Sequence, residues 1–508
     1  MGVADWISHR ASVSPDKEAL VDRHRRMTYA ALDREMRQLG ASLRQAGVRP
    51  QDRVAALMMN RTEFIVCLMA CAYIGAIFVP INYRLNAEDI RYILDDACPE
   101  FLFYDGIFQE VIDEIGTGRW QLVNVDGGRG NEPYTYRGML GHDPDYSLGP
   151  ISGDAVVALL YTSGTTGRPK GVVLTHDIFL WNAIEFTTDW DIVSSDRSLV
   201  VNPIFHIVLN ILTVPLLYKG GTVILQDKFD PELALDWMER ERITCMFAIP
   251  TNWLAIMQSP SFDRRDLSSL RFAAGGGAPV PMSVLRFFEE KQIPFREAFG
   301  LTETAPAVST MPEGQSIRKR GSIGKPFMHM KVRIVDSQGH DVAANQIGEL
   351  IVHGPNVFLG YWNRPEATKE AIKEGWFYTG DLARRDEDGY LFIVDRKKDL
   401  IISGGENIAS VEVEQALYAH PSVLEVAVIA TPDEKWGEVP VAVVVKKPQA
   451  DTDVTEDMLV EFCRQRLAHF KCPRHVLFVE QLPKTATGKI QKNVLRERFW
   501  EGQERRVH

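Results

Sequence analysis

Helix-period apolar spacing followed at once by a short β-branched run recurs from about residue 15 to residue 380. This alternation restricts the fold to sheets layered with helices. The first unit is TYAALDREMRQLGASLRQAG, 28–47, with apolar residues three and four apart and a glycine stop at Gly47; DRVAALMM follows as a buried strand. The same order is read at 64–81, 88–104, 231–249 and 283–299. Continuously apolar strands alternating with helices predict sheets covered on both faces. One unit, FIVCLMACAYIGAIFVPI at 64–81, is uncharged and long enough to suggest a membrane span. Gly75 and Pro80 interrupt it, and AIFVPI is short and β-branched. A buried helix, a glycine break and a buried strand are expected instead, with no transmembrane span.

The pattern changes at 319–395. MKVRIVDSQGHDV, IGELIVHG and DEDGYLFIVD alternate in period two around Gly and Asp turns, and read as antiparallel hairpins. Beyond DRKKD the chain becomes a compact α/β module. VEVEQALYAH is helical, VLEVAVIA and VPVAVVVKK are strands, and MLVEFCRQRLAHF is an amphipathic helix with Leu459, Phe462, Cys463 and Leu467 on one stripe. A chain of 508 residues exceeds one hydrophobic core. The domains expected are 1–396 and 397–508, divided where apolar FIV gives way to charge.

The net charge of −11 argues against a nucleic-acid partner, which needs a basic face. Six scattered cysteines without a CxxC pair suit a reducing, cytoplasmic setting; Cys67 and Cys71, one helical turn apart in an apolar run, read as buried thiols rather than metal ligands. The N-terminal residues lack a charged-then-apolar signal pattern, and Trp6 stands where a myristoylation motif needs Ser or Thr.

Within this frame lies YTSGTTGRPKGVVLTH, 161–176. The apolar strand AVVALL enters it and GVVLT leaves it. Pro169 disfavours the helical region for Arg168 and cannot donate an N–H, so this is not a loop that runs into a phosphate-facing helix N-terminus. Small residues let backbone N–H groups converge on an anion, the hydroxyls of Thr162, Ser163, Thr165 and Thr166 add donors, and Lys170 adds charge. Taken alone, the stretch fits a phosphate cradle or a flexible surface hairpin.

Six further segments follow in order: PIFH at 203–206, GGGAP at 275–279, FGLTET at 299–304, YTGD at 378–381, DRKKDLIISGGENI at 395–408 and PKTATGKI at 483–490. With the loop, this ordered set resembles the adenylate-forming superfamily of acyl-CoA synthetases, coumarate-CoA-type ligases, luciferases and nonribosomal-peptide adenylation domains. The resemblance spans nearly the whole chain and is closest to the acyl-CoA synthetase branch. It implies an acetyl-CoA synthetase-like α/β fold: a large N-terminal domain of helix-covered β-sheets with a β-rich subdomain, and a small mobile C-terminal α+β domain.

The resemblance also implies roles. ATP is held by the loop (Thr162, Ser163, Gly164, Thr165, Thr166, Gly167 and Lys170). The adenine segment is Gly276, Gly277, Ala278 and Pro279, with Glu297, Ala298, Phe299 and Gly300 beside it; Phe299 stands where an aromatic stacks on the base. Thr302 contacts the α-phosphate and Glu303 holds Mg²⁺. Asp381 and Arg396 reach the ribose, and Ile393 lies nearby. Lys398 is the hinge about which the C-terminal domain turns. Lys489 enters the site during adenylation and stabilises charge on the carboxylate and α-phosphate. His206 is the gate to the acyl pocket. PDEKWGE at 432–438, with Trp436, and FKCPR at 470–474 resemble segments of CoA ligases, and Gly404 and Gly405 match glycines beside the pantetheine tunnel.

Departures bear on the acid. Ala298 stands where many relatives have the first glycine of GYG, adding a methyl beside the acyl pocket that Pro306 and Ala307 also border. Val208 and Leu209 replace the small residues that often follow the histidine, and GENIAS replaces GENIYP. The expected activity is an ATP-dependent, Mg²⁺-requiring acid–thiol ligase using CoA, with a medium- or long-chain fatty acid as substrate. A short branched or aryl acid, or delivery to a carrier protein, is the alternative. A homodimer is the expected assembly.

Overall fold

The computed structural model describes residues 2–116, 118–127, 134–162, 168–447, 454–484 and 490–500. The chain divides into two compact units, Met1–Val332 with Val352–Phe377, and Arg333–Ile351 with Tyr378–His508.

The first unit is built on two large sheets. One has seven strands in the order Tyr134–Thr135, Gln121–Asn124, Phe101–Tyr104, Arg53–Leu57, Ile77–Pro80, Val156–Thr162, Lys170–Thr175. All its pairings are parallel except the last, which is antiparallel. The other has nine strands, with Phe272–Gly276 between Cys245–Ala248 and Phe295–Phe299 in its parallel part.

The helix–strand units appear where the sequence places them. Helix Tyr29–Gln45 begins at Thr28, whose hydroxyl accepts from Ala31 N, and the chain leaves it through Gly47 at φ +99°. Helix Thr62–Ile74 is buried at every residue but Glu63 and stops at Gly75, in the left-handed region; strand Ile77–Pro80 follows. Burial on all sides explains the uncharged run, and no helix among the described residues is long and apolar enough to cross a membrane. Cys67 and Cys71 are buried free thiols, and burial pushes both well up. Strand Phe272–Gly276 is held from behind by Trp253, fully buried, whose indole N–H donates 2.8 Å to Ala274 O.

In the second unit, residues 381–385 of strand Trp376–Arg385 pair antiparallel with Leu391–Arg396. Strands Val423–Asp433 and Gly437–Lys446 pair over ten positions. Val426, Val428 and Ala430 pack into one core, and Ala427 and Ile429 into another. Period-two alternation between two cores is why these strands read as continuously apolar.

Two local expectations differ. The helix expected over 458–470 spans only Glu456–Arg464; the chain then turns, with Leu467 N donating to Cys463 O, and His469–Lys471 form one short 3₁₀ turn. Pro473 and the parallel strand His475–Phe478, which must align with Gly437–Lys446, force the earlier exit. The hairpin region also contains a helix, Pro365–Ala371, whose proline occupies the first turn.

Candidate active site

The antiparallel stem of the glycine-threonine loop places Thr162 opposite Lys170 and Tyr161 opposite Gly171. Ser163, Gly164, Thr165, Thr166 and Gly167 lie outside the described residues, as does Lys489. The stem is braced along its outer edge by residues 359–362. Leu359 N donates to Val173 O, Val173 N to Gly360 O, and Trp362 N to Gly171 O, at 2.8–3.1 Å. Below it, Asp96 accepts from Tyr161 OH at 2.8 Å and from Arg364 Nη2 at 2.7 Å.

Glu303 sits in the short 3₁₀ turn Thr302–Thr304. Its Oε1 accepts a 2.9 Å hydrogen bond from Tyr361 OH, and its carbonyl accepts from Phe358 N at 2.8 Å. Lys170 Nζ stands 5.2 Å from the centroid of the same Tyr361 ring. Burial, reinforced by the Glu303 carboxylate, holds the Tyr361 phenol far above its usual range, so it remains a donor. Asn356, fully buried, donates from Nδ2 to Thr304 O (2.6 Å) and Ala307 O (2.8 Å), closing the turn that carries Thr302, Glu303 and Pro306. Thr302, Pro306 and Ala307 are buried.

The segment 275–279 is a close backbone packing. Gly276 faces Ala298 across parallel strands, and a Cβ on Gly276 would lie 2.4 Å from Ala298 O. A Cβ on Gly300 would fall 1.3 Å from Pro306 O, so only glycine fits there. Gly277, at φ +77°, turns the chain out, leaving Ala278 and Pro279 exposed. Ala298 and Phe299 are half-buried. Glu297 Oε1 is buried without a hydrogen-bond partner, and burial raises its carboxyl to about 7 despite Ser316 nearby.

His206 precedes the short 3₁₀ helix Ile207–Asn210. His206 is exposed, yet desolvation by the protein around it lowers its pKa to about 4. Val208 is half-buried and Leu209 buried. This turn therefore carries a neutral imidazole beside aliphatic groups.

In the second unit, Asp381 is buried and faces Arg396 across the strand pair, with Arg396 Nε 3.0 Å from Asp381 Oδ1. Ile393 pairs with Ala383 on the same strands. Lys398 is exposed, and partial desolvation lowers its pKa; its carbonyl and the Asp399 carboxylate both accept from Arg496 on helix Lys492–Trp500. Gly404 and Gly405, at φ +59° and +90°, form the turn between Ile401–Ser403 and Glu406–Ile408. Gly404 N donates 2.8 Å to Trp436 O. PDEKWGE is the hairpin turn at that spot: Asp433 Oδ1 accepts from Lys435 N and Trp436 N, and the Trp436 ring is exposed.

A metal held here has little protein to ligate it. Among the described residues no three His, Cys, Asp or Glu side chains gather as a metal cage. One oriented carboxylate, Glu303, fits a hard cation that keeps its waters and draws its remaining ligands from phosphates, as Mg²⁺ does.

The family model for AMP-binding enzymes matches residues 7–362, and that for the AMP-binding enzyme C-terminal domain matches 412–489. The chain belongs to the AMP-binding enzyme family. Within this adenylate-forming family it falls among the acyl-CoA synthetases. A feruloyl-CoA synthase from Amycolatopsis sp is 42% identical over 98% of this chain and 99% of its own length. The long-chain-fatty-acid–CoA ligase FadD13 of Mycobacterium tuberculosis is 36% identical over 97% of each. The o-succinylbenzoate CoA synthetase of Bacillus subtilis, solved with its acyl-adenylate OSB-AMP, superposes with a TM-score of 0.87 at 31% identity, covering 96% of this chain and 97% of that one. The same enzyme with ATP and magnesium ion gives 0.86.

For an AMP-binding enzyme, the first unit thus gathers Lys170 and Glu303 around one aromatic residue, with Thr302 beside Glu303 in the same turn, and the second gathers Asp381 with Arg396 and Gly404 with Trp436. Tyr361, Asn356, Asp96 and Arg364 were not among the residues singled out in the sequence. The signal for Tyr361 was FLGYWNRP, a glycine beside paired aromatics, which does not reveal its partner.

Proposed function

We propose that this enzyme activates an aromatic carboxylic acid as its acyl-adenylate, releasing pyrophosphate, and then transfers the acyl group to CoA with release of AMP. The observation that carries the adenylation reading is the Glu303 carboxylate fixed by Tyr361 beside the Lys170 end of the loop stem. In this reading residues 162–167 and Lys170 hold the β- and γ-phosphates, and Thr302 donates to the α-phosphate. Glu303 holds Mg²⁺, which neutralises charge on the phosphates. Asp381 and Arg396 orient the ribose; Gly276–Pro279, Glu297, Phe299 and Gly300 flank the base, with Ile393 near the ribose. Lys489 aligns the attacking carboxylate and the α-phosphate. Gly404, Gly405 and Trp436 receive the thiol arm of CoA. In this reading the chain divides into domains 1–396 and 397–508, with Lys398 as the hinge.

For the acid, the pocket is assigned to His206, Val208, Leu209, Ala298, Pro306 and Ala307, a neutral imidazole among apolar groups that suits an apolar substrate body. Feruloyl-CoA synthase and o-succinylbenzoate CoA synthetase are named for acids with an aromatic ring, which favours an aryl acid. The long-chain-fatty-acid–CoA ligase keeps the fatty-acid reading as the second one. Six unpaired cysteines, five of them buried, fit a cytoplasmic enzyme.

The test is incubation with ATP, Mg²⁺, CoA and a panel running from acetate to palmitate with benzoate, cinnamate, ferulate and indoleacetate, scoring thioester by mass. Aryl acids are expected to lead. A palmitate maximum replaces the aryl reading with the fatty-acid one, and absence of pyrophosphate release across the panel overturns adenylation itself.

A further inference from the structure

We infer that Tyr361 is the residue that positions the metal-binding carboxylate, and that residues 356–362 act as a brace tying the phosphate loop to that carboxylate. The inference rests on the reading of Glu303 as the Mg²⁺ ligand.

Three sets of contacts converge. Tyr361 OH donates 2.9 Å to Glu303 Oε1, which fixes the plane in which the carboxylate presents itself. The Tyr361 ring faces the Lys170 ammonium at 5.2 Å, so the same side chain bears on the cation at the end of the loop and on the carboxylate. The backbone around Tyr361 joins the same two elements. Residues 359–362 are hydrogen-bonded to the loop strand, and Tyr361 bridges Val172. Phe358 N and the Asn356 amide clamp the turn that bears Glu303. Gly360, at φ +147°, sits with its Cβ position 2.5 Å from Thr368, whose hydroxyl accepts from Tyr361 N at 2.9 Å; the aromatic is thereby set against helix Pro365–Ala371.

The chemistry explains why such a brace is needed. A single carboxylate ligates Mg²⁺ well only when its own orientation is fixed, because the cation demands near-octahedral geometry. Partners behind metal ligands set that orientation, and losing one typically weakens metal binding about 10- to 100-fold. A phenol supplies a neutral hydroxyl donor behind the carboxylate without adding a charge that competes for it. Glu303 and Tyr361 are 58 residues apart in sequence, and Lys170 is more distant still.

The test uses Mn²⁺ as probe with an ATP analogue whose α,β-bridging oxygen is replaced by methylene, and reads bound against free Mn²⁺ by electron paramagnetic resonance. Tyr361→Phe removes only the hydroxyl and keeps the ring over Lys170 and against Phe358. It is expected to weaken Mn²⁺ on the order of tenfold in the ternary complex, towards the value of Glu303→Gln, while affinity for the metal-free analogue and the melting temperature stay near wild type. Its apparent Mg²⁺ requirement for pyrophosphate release rises in parallel. Wild-type Mn²⁺ affinity in Tyr361→Phe, with Glu303→Gln impaired, overturns the positioning role alone. Wild-type affinity in Glu303→Gln overturns the metal assignment on which it rests.

Discussion

Asp381 and Arg396 are register partners on adjacent antiparallel strands, and Arg396 Nε lies 3.0 Å from Asp381 Oδ1. The aspartate side chain is 4% exposed and the arginine 35%, so the pair is a buried acceptor carried under a reachable donor. If the carboxylate reads the ribose hydroxyls, Asp381→Asn keeps the shape and loses the charge. Hydrogen bonds to charged groups are worth about 1.5–3 kcal/mol, which places the expected loss of ATP affinity on the order of 10- to 100-fold. Water can solvate Arg396 in the variant, so folding should persist. Calorimetric titration with ATP decides it; unchanged affinity removes Asp381 from the nucleotide site.

The second prediction concerns pH. Burial raises the Glu297 carboxyl to about 7, against about 4.5 in an unfolded chain. Between those values the native state holds the proton and the unfolded state does not. This group's contribution is therefore fully present below pH 4.5 and is lost as pH rises through about 7. Glu297→Gln has no proton to lose. Its melting temperature relative to wild type is expected to climb between about pH 5 and pH 8 and then level off. A constant difference across that range would show that Glu297 ionises as an ordinary carboxylate.

Legibility followed sequence distance. The loop hairpin could be read because Pro169, the glycines and two β-branched runs are neighbours in the chain, and the structure sets Thr162 opposite Lys170. Helix Thr62–Ile74 could be read because Gly75 marks its end. Tyr361, Asn356 and Asp96 could not, because what makes them matter is a partner brought near only by folding: Asn356 meets Thr304 across 52 residues and Tyr161 meets Asp96 across 65. The overlong helix at 458–470 failed for the same reason. Its apolar stripe continues, but the demand of strand His475–Phe478 for register with Gly437–Lys446 overrides local propensity.

Ala298 tests the acyl pocket. Its backbone packs against Gly276 on one side and pairs with Thr310 on the other, so the strand is fixed and only the methyl varies. One methyl in an apolar pocket is worth about 1–3 kcal/mol of discrimination. Ala298→Gly should raise kcat/KM for acids with bulkier rings relative to benzoate by about tenfold or more, with little change in KM for ATP. An unchanged ratio over the panel would place the acid elsewhere than beside residue 298.

The final prediction separates the two half-reactions. If Lys489 serves adenylation as proposed, Lys489→Ala removes a positive charge from that step, and losses of about 10²–10³ in its rate are typical for such a group. Thioester formation from supplied acyl-adenylate should be largely retained. Gly404→Ala should do the opposite. A Cβ there would lie 2.6 Å from the Trp436 ring, and the residue must keep φ +59°, so the hairpin turn at 433–437 has to shift. Misplacement by about 1 Å costs on the order of 10²-fold when a group positions a reactant. Thioester formation from acyl-adenylate should therefore fall steeply, while pyrophosphate release with acid and ATP stays within about twofold of wild type, because this turn is assigned to the thiol step alone. Measured together, the variants form a crossed pair. If either lowers both half-reactions equally, the assignment of Lys489 to the first step and of the Gly404–Trp436 turn to the second is wrong for that residue.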